Sequence, residues 1–96
     1  MDFEYDHGKS TQNLQKHGIS FEEAKALWVV PALTLEGKNI EEVRFIRIGR
    51  LKGKFYSCIY TLRGEKIRLI SARRSRSEEE ELYQKEKIED EENKEN

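Results

Sequence analysis

Between positions 43 and 77 the chain carries eleven lysine and arginine side chains, and Glu65 is the one acid among them. Guanidinium groups stay charged and offer two parallel N–H donors that match phosphate oxygens, so Arg44, Arg50, Arg63, Arg68, Arg73 and Arg74 suit a polyanionic ligand. Upstream, Lys16-His17-Gly18 sets an imidazole beside a glycine. Histidine moves protons readily because its ordinary pKa is about 6.5. These are residue types that can cut RNA without a metal. One group takes the 2′-hydroxyl proton, another protonates the leaving oxygen, and a cation stabilises the charge that builds on phosphorus. Each candidate has a second reading that the residues alone leave open. His17 could instead satisfy the last carbonyls of a helix. The arginines could bind an acidic protein as well as RNA. Phe55, Tyr56 and Tyr60 could stack on bases, although strand aromatics favour the core.

Other chemistries find no support in the sequence. His7 and His17 stand ten residues apart and point to different faces of one helix, Cys58 is alone, and no HExxH or CxxC occurs. Phosphate-loop patterns are missing, and the six glycines read as turn and helix-end residues. The carboxylates form solvated runs and not an acid–base pair. No metal and no cofactor is expected. A lone cysteine, an acidic N-terminus without an apolar stretch, and no apolar run of about 18 residues lead to the expectation of a cytoplasmic chain. Its overall charge of −1 hides a middle segment of net +10, flanked by −4 over residues 1–42 and −7 over 78–96.

These side chains must be held by a small scaffold. Ninety-six residues make one domain, expected over residues 1–88, with 89–96 a disordered acidic tail. Phe3-Glu4-Tyr5 reads as a short strand. A helix follows over 6–16, capped by Asp6 and closed by Gly18, with Leu14 its one good core residue. Ser20 and Glu23 form a capping box for a second helix, in which Phe21, Ala24, Leu27 and Trp28 share a face, and Pro31 ends it. Residues 32–40 read as a loop with a short extended piece at Leu33-Thr34-Leu35. Strands over 43–51, 54–62 and 66–73, joined by short glycine-containing turns, form an antiparallel meander. Ser77 and Glu80 suggest a second capping box, opening a last helix that ends near Ile88. The fold class is α+β, in the order β-α-α-β-β-β-α. Helices are expected mainly on one face of an antiparallel sheet, leaving the other face wet for a ligand.

The run Phe3-Glu4-Tyr5-Asp6, with Lys9, Asn13 and Lys16-His17-Gly18-Ile19-Ser20-Phe21-Glu22-Glu23-Ala24, resembles the opening of the BrnT toxin family. The later segments Ile48-Gly49-Arg50, Tyr60-Thr61-Leu62-Arg63-Gly64 and Ile67-Arg68-Leu69-Ile70-Ser71-Ala72-Arg73-Arg74, followed by Tyr83, agree in order with that family. The resemblance implies a RelE-like fold and an endoribonuclease toxin that needs no metal. It also implies neutralisation by a BrnA-like ribbon-helix-helix antitoxin, with DNA contacted only through the complex. It further implies that His17, Arg50 and Arg73 are catalytic, and that Lys16, Arg44, Arg63, Arg68 and Arg74 bind RNA. A binding module that leaves RNA intact, and a decayed toxin acting only as its antitoxin's co-repressor, stay open as alternatives. Two readings of the acidic end stay open: it partly screens the basic segment from RNA, or it is merely splayed into solvent.

Overall fold

The computed structural model describes residues 1–37 and 41–94. Eight elements follow one another. They are β1 (Asp2–Glu4), α1 (His7–His17), α2 (Phe21–Ala24) continued by a 3₁₀ turn (Lys25–Trp28), β2 (Ala32–Gly37), β3 (Arg44–Leu51), β4 (Lys54–Arg63), β5 (Lys66–Arg74) and α3 (Ser77–Lys94). The five strands form one sheet in the order β1-β5-β4-β3-β2.

Local chemistry explains the helix starts. The Asp6 carboxylate accepts from the Lys9 amide at 2.9 Å, and α1 closes at Gly18, whose φ of 74° is the left-handed conformation that glycine adopts without strain. The Ser20–Glu23 capping box forms in full. Its helix, however, tightens into a 3₁₀ turn after Ala24, ahead of Pro31. Phe21, Ala24 and Leu27 are buried and Trp28 packs against them, as the spacing predicts.

The expected loop over 32–40 is corrected. Residues 32–37 form the six-residue edge strand β2, antiparallel to β3 from Ala32↔Gly49 to Gly37↔Arg44, and the rest of that segment, 38–40, lies outside the described residues. Gly49 is needed where β2 begins. A Cβ there would stand 3.0 Å from Leu27 Cδ2 and 3.1 Å from the Pro31 carbonyl. Its use is close packing, not a turn. The sheet is also not wholly antiparallel, because β1 runs parallel to β5, with Phe3 opposite Ile67.

Strand alternation divides the side chains between two faces. Cys58, Tyr60, Leu69 and Ala72 meet Ile19, Phe21, Ala24 and Leu27 in the main core. Ser57, Phe55 and Arg73 point the other way, and there they meet α3 through Glu79 and Tyr83. The expectation that helices lie mainly on one face is thereby corrected, since α3 covers part of the face predicted to be wet. Ile48 is fully buried on that side. The predicted Ser77–Glu80 cap is also replaced: the Glu79 carboxylate takes the Arg76 amide at 2.8 Å. α3 runs to Lys94, six residues past the end expected near Ile88.

One further correction concerns what holds α1. Leu14 is 45% exposed, while Ser10 and Asn13 are buried. Ser10 Oγ accepts from the Phe21 amide at 2.9 Å. The Asn13 carboxamide donates to the carbonyls of Ile19 and Ala72, both at 2.8 Å, and accepts from the Ala72 amide at 3.3 Å. Beyond the short β1, the edge of β5 has no strand partner, and Asn13 supplies the bonds that one would make.

Candidate active site

The meander sends the arginines to two opposite ends of the sheet. Arg44 begins β3, Arg63 ends β4, and Arg68 lies near the start of β5, so these three share the end made by the β4–β5 turn. Arg44 pairs with Glu42 at 3.2 Å and Arg68 with Glu4 at 3.5 Å. Arg50 lies six residues along β3 from Arg44, roughly 20 Å at the usual rise of a strand.

Arg50 and Arg74 share the other end with the β3–β4 turn. That turn places Lys52 at φ 53° and Gly53 at φ 81°, the two left-handed residues of a tight hairpin. The Arg50 guanidinium lies 5.3 Å from the centre of the Phe55 ring, and that of Arg74 lies 5.6 Å from Tyr56. Arg74 Nε also donates to the Phe55 carbonyl at 3.3 Å. Among the described residues neither guanidinium has a carboxylate partner. Rings hold them instead, an arrangement that fixes their direction and leaves their charge uncompensated.

Beside this hairpin a cleft of about 630 Å³ opens between β3–β4 and the α1–α2 connection. Ile19, Ala26, Val30 and Leu51 give it an apolar floor, Lys52 and Lys54 give it a cationic rim, and Tyr56 and Glu23 complete the wall. Arg50 also borders it, but its guanidinium lies over Phe55 on the α3 face of the sheet. Hydrogen bonds from Ser20, first from its backbone N–H, hold the Glu23 carboxyl below its ordinary range, and Lys52 adds to the effect. Glu23 is therefore an anion set among cations.

His17 lies on the other side of the last turn of α1. With Lys9, Lys16, Asn13, Ile70 and Ser71 it lines a separate depression of about 290 Å³. Gly18, the next residue, lines the hairpin cleft. His17 makes no hydrogen bond and no ion pair among the described residues. Asn13 fixes its position indirectly, by tying α1 to β5.

Arg73 sits apart from both places. Its Nη1 and Nη2 donate to the two Glu79 oxygens at 2.7 and 2.9 Å. Glu79 also accepts from Ser57 Oγ at 2.9 Å and from the Arg76 amide. Burial alone would push the Glu79 carboxyl up, but Arg73, the Arg76 amide and Ser57 together bring it down to about 2. The expected grouping of His17, Arg50 and Arg73 around one phosphate is therefore not formed. His17 lies at the edge of β5 that α1 flanks, Arg50 at the hairpin, and Arg73 under α3.

The sequence passed over Lys52, Lys54 and Glu23 as ligand-facing groups. The lysines flank a turn that was legible, and their charges were in the count, but nothing local showed that α1–α2 would come to face them. Cys58 is buried, which pushes its thiol up to about 12 and leaves it protonated and unreactive. Among the described residues no three His, Cys, Asp or Glu side chains gather as a metal-ligand set, and no helix is long and apolar enough to cross a membrane.

Residues 5–79 match the family described as ribonuclease toxin, BrnT, of type II toxin-antitoxin system. No curated protein matches the chain.

Proposed function

The chain belongs to the BrnT family, ribonuclease toxins of type II toxin–antitoxin systems, and we propose that it cuts RNA, without a metal, at the hairpin end of its sheet. The observation that carries the location is the contrast among the arginines. Arg44, Arg68 and Arg73 are paired with carboxylates and Arg63 stands singly at the far end, whereas Arg50 and Arg74, ring-held and without a carboxylate partner among the described residues, gather at one end with Lys52 and Lys54.

In this reading Arg74 binds the scissile phosphate and stabilises the charge of the transition state, and Arg50, on the opposite face of the hairpin end, holds a neighbouring phosphate. His17 takes the 2′-hydroxyl proton as the 2′-oxygen attacks phosphorus. The bond to the 5′-oxygen breaks, that oxygen takes a proton from water, and the products carry a 2′,3′-cyclic phosphate and a 5′-hydroxyl. Lys16 steadies a neighbouring phosphate beside His17. Arg73 serves as a positioning residue that fixes α3 and the end of β5 next to Arg74; direct contact with RNA would require Glu79 to release it. Arg44, Arg63 and Arg68 give weaker contacts along the strand toward the far end.

The proposed setting is a RelE-like domain in the cytoplasm, neutralised by a BrnA-like ribbon-helix-helix antitoxin and reaching DNA only through that complex. The test uses purified protein and RNA in EDTA. Wild type is expected to yield cyclic-phosphate ends, with Arg74→Ala and His17→Ala each slower by about a hundredfold at unchanged circular dichroism. Full activity in both variants would overturn the assignment. Because His17 lies outside the cleft, a second reading is a module that grips RNA and leaves it whole. Salt-sensitive binding without any cyclic-phosphate product would favour it.

A further inference from the structure

We propose that the hairpin cleft seats a nucleobase, that of a guanylate next to the cleaved bond, and that Glu23 is the residue that selects it. The proposal rests on the ribonuclease reading and adds a base-binding subsite to it. A phosphate needs only the rim of Lys52 and Lys54, and has no use for the apolar floor beneath it. The floor and the rim together suit a ligand that is flat and apolar on its faces and anionic at one end. A nucleotide has that form. The volume of about 630 Å³ falls in the range of small-ligand sites, roughly 300–1,000 Å³. Tyr56 offers an aromatic wall, with the Arg74 guanidinium 5.6 Å from its ring centre, and aromatic–base stacking is how single-stranded RNA is commonly held.

Selection follows from the carboxylate. Glu23 Oε1 accepts from the Ser20 amide at 3.0 Å, and the exposed carboxylate keeps acceptor capacity beyond that bond. The capping box keeps the side chain in place, and its lowered pKa keeps it charged. An ionised carboxylate only accepts. It therefore favours a base edge rich in N–H groups and rejects one that presents carbonyls. Guanine sets N1–H and the exocyclic amine side by side. Adenine and cytosine put an acceptor next to their amine, and uracil flanks its one N–H with two carbonyls. Guanine is the best match, and uracil the poorest.

The experiment has two arms. In the first, 3′-GMP, 3′-UMP and inorganic phosphate are titrated into the full chain, with backbone amide shifts read at Ile19, Leu51 and Tyr56. The expected result is 3′-GMP binding at least about tenfold more tightly than 3′-UMP, about 1.4 kcal/mol, with phosphate weaker than either. In Glu23→Gln, which a capping box tolerates, that ratio should fall to about twofold; Tyr56→Leu should weaken both nucleotides. In the second arm, cut sites on a randomised RNA are sequenced. Wild type should cut beside guanine, and Glu23→Gln should spread its cuts over the four bases. Equal affinity for the two nucleotides, or shifts with phosphate that match those with 3′-GMP, would overturn the base site. Cutting without preference would overturn it too and leave the ribonuclease reading intact. Selective 3′-GMP binding by a protein that cuts no RNA would do the reverse.

Discussion

Arg73 and Arg74 are neighbours on β5, yet alternation gives them opposite surroundings. Arg74 lies over Tyr56 with no carboxylate partner among the described residues, and Arg73 is closed in a two-pronged ion pair with the buried Glu79. The pH dependence of stability follows from the second. Glu79 titrates at about 2 in the folded chain, below the value near 4.3 of a free glutamate. The lowered value means that its stabilisation is complete above about pH 5 and is lost as pH falls toward 2. Thermal unfolding between pH 7 and pH 2.5 should show this loss. Glu79→Gln should cost about 2 kcal/mol at neutral pH, because it leaves a half-buried guanidinium without its partner, and should flatten the acid limb of the profile. An unchanged profile would show that the pair contributes nothing. From sequence, Glu79 was one of four successive glutamates with no mark to separate it from its neighbours. Arg47 shows the same limit. It counted toward the basic segment, but its Nε donates to the Leu27 carbonyl at 2.7 Å and its guanidinium lies 5.2 Å from the Trp28 ring centre.

At the scale of elements, what was legible was what neighbouring residues decide. Asp6, Gly18, the Ser20–Glu23 box and the three meander strands are local signals, and each element formed close to its predicted bounds. The unread elements depend on distant partners. β2 is a strand because β3 lies beside it, and β1 turns parallel because β5, more than sixty residues later, offers the edge. The site shares this division. His17 and Arg50 stand out by residue type, but the cleft exists only where α1–α2 meets the hairpin. α1 is the least self-sufficient element, being mostly polar and anchored by Asn13. Asn13→Ala leaves the Ala72 amide and two carbonyls without partners, and should destabilise the fold by about 2–3 kcal/mol. Denaturant unfolding measures this; a change below about 0.5 kcal/mol would remove Asn13 as the anchor.

Over the whole molecule the charge is divided by position along the chain, with a middle segment of +10 between acidic flanks. RNA binding through that segment should weaken with salt, the logarithmic slope falling by about 0.7 for each phosphate engaged. Removing residues 84–96 takes away six acids and three lysines. It should tighten RNA binding at low salt and change little at high salt, where screening is short-ranged; equal affinities at low salt would dismiss the acidic end as a screen. The order β1-β5-β4-β3-β2 bears on biosynthesis as well. The first strand made finds its neighbour only when residues 66–68 have left the ribosome, and Asn13 waits still longer for Ala72. A truncated nascent polypeptide thus has hairpins but no closed sheet, and for a potentially lethal protein that timing defers competence to the last moments of translation.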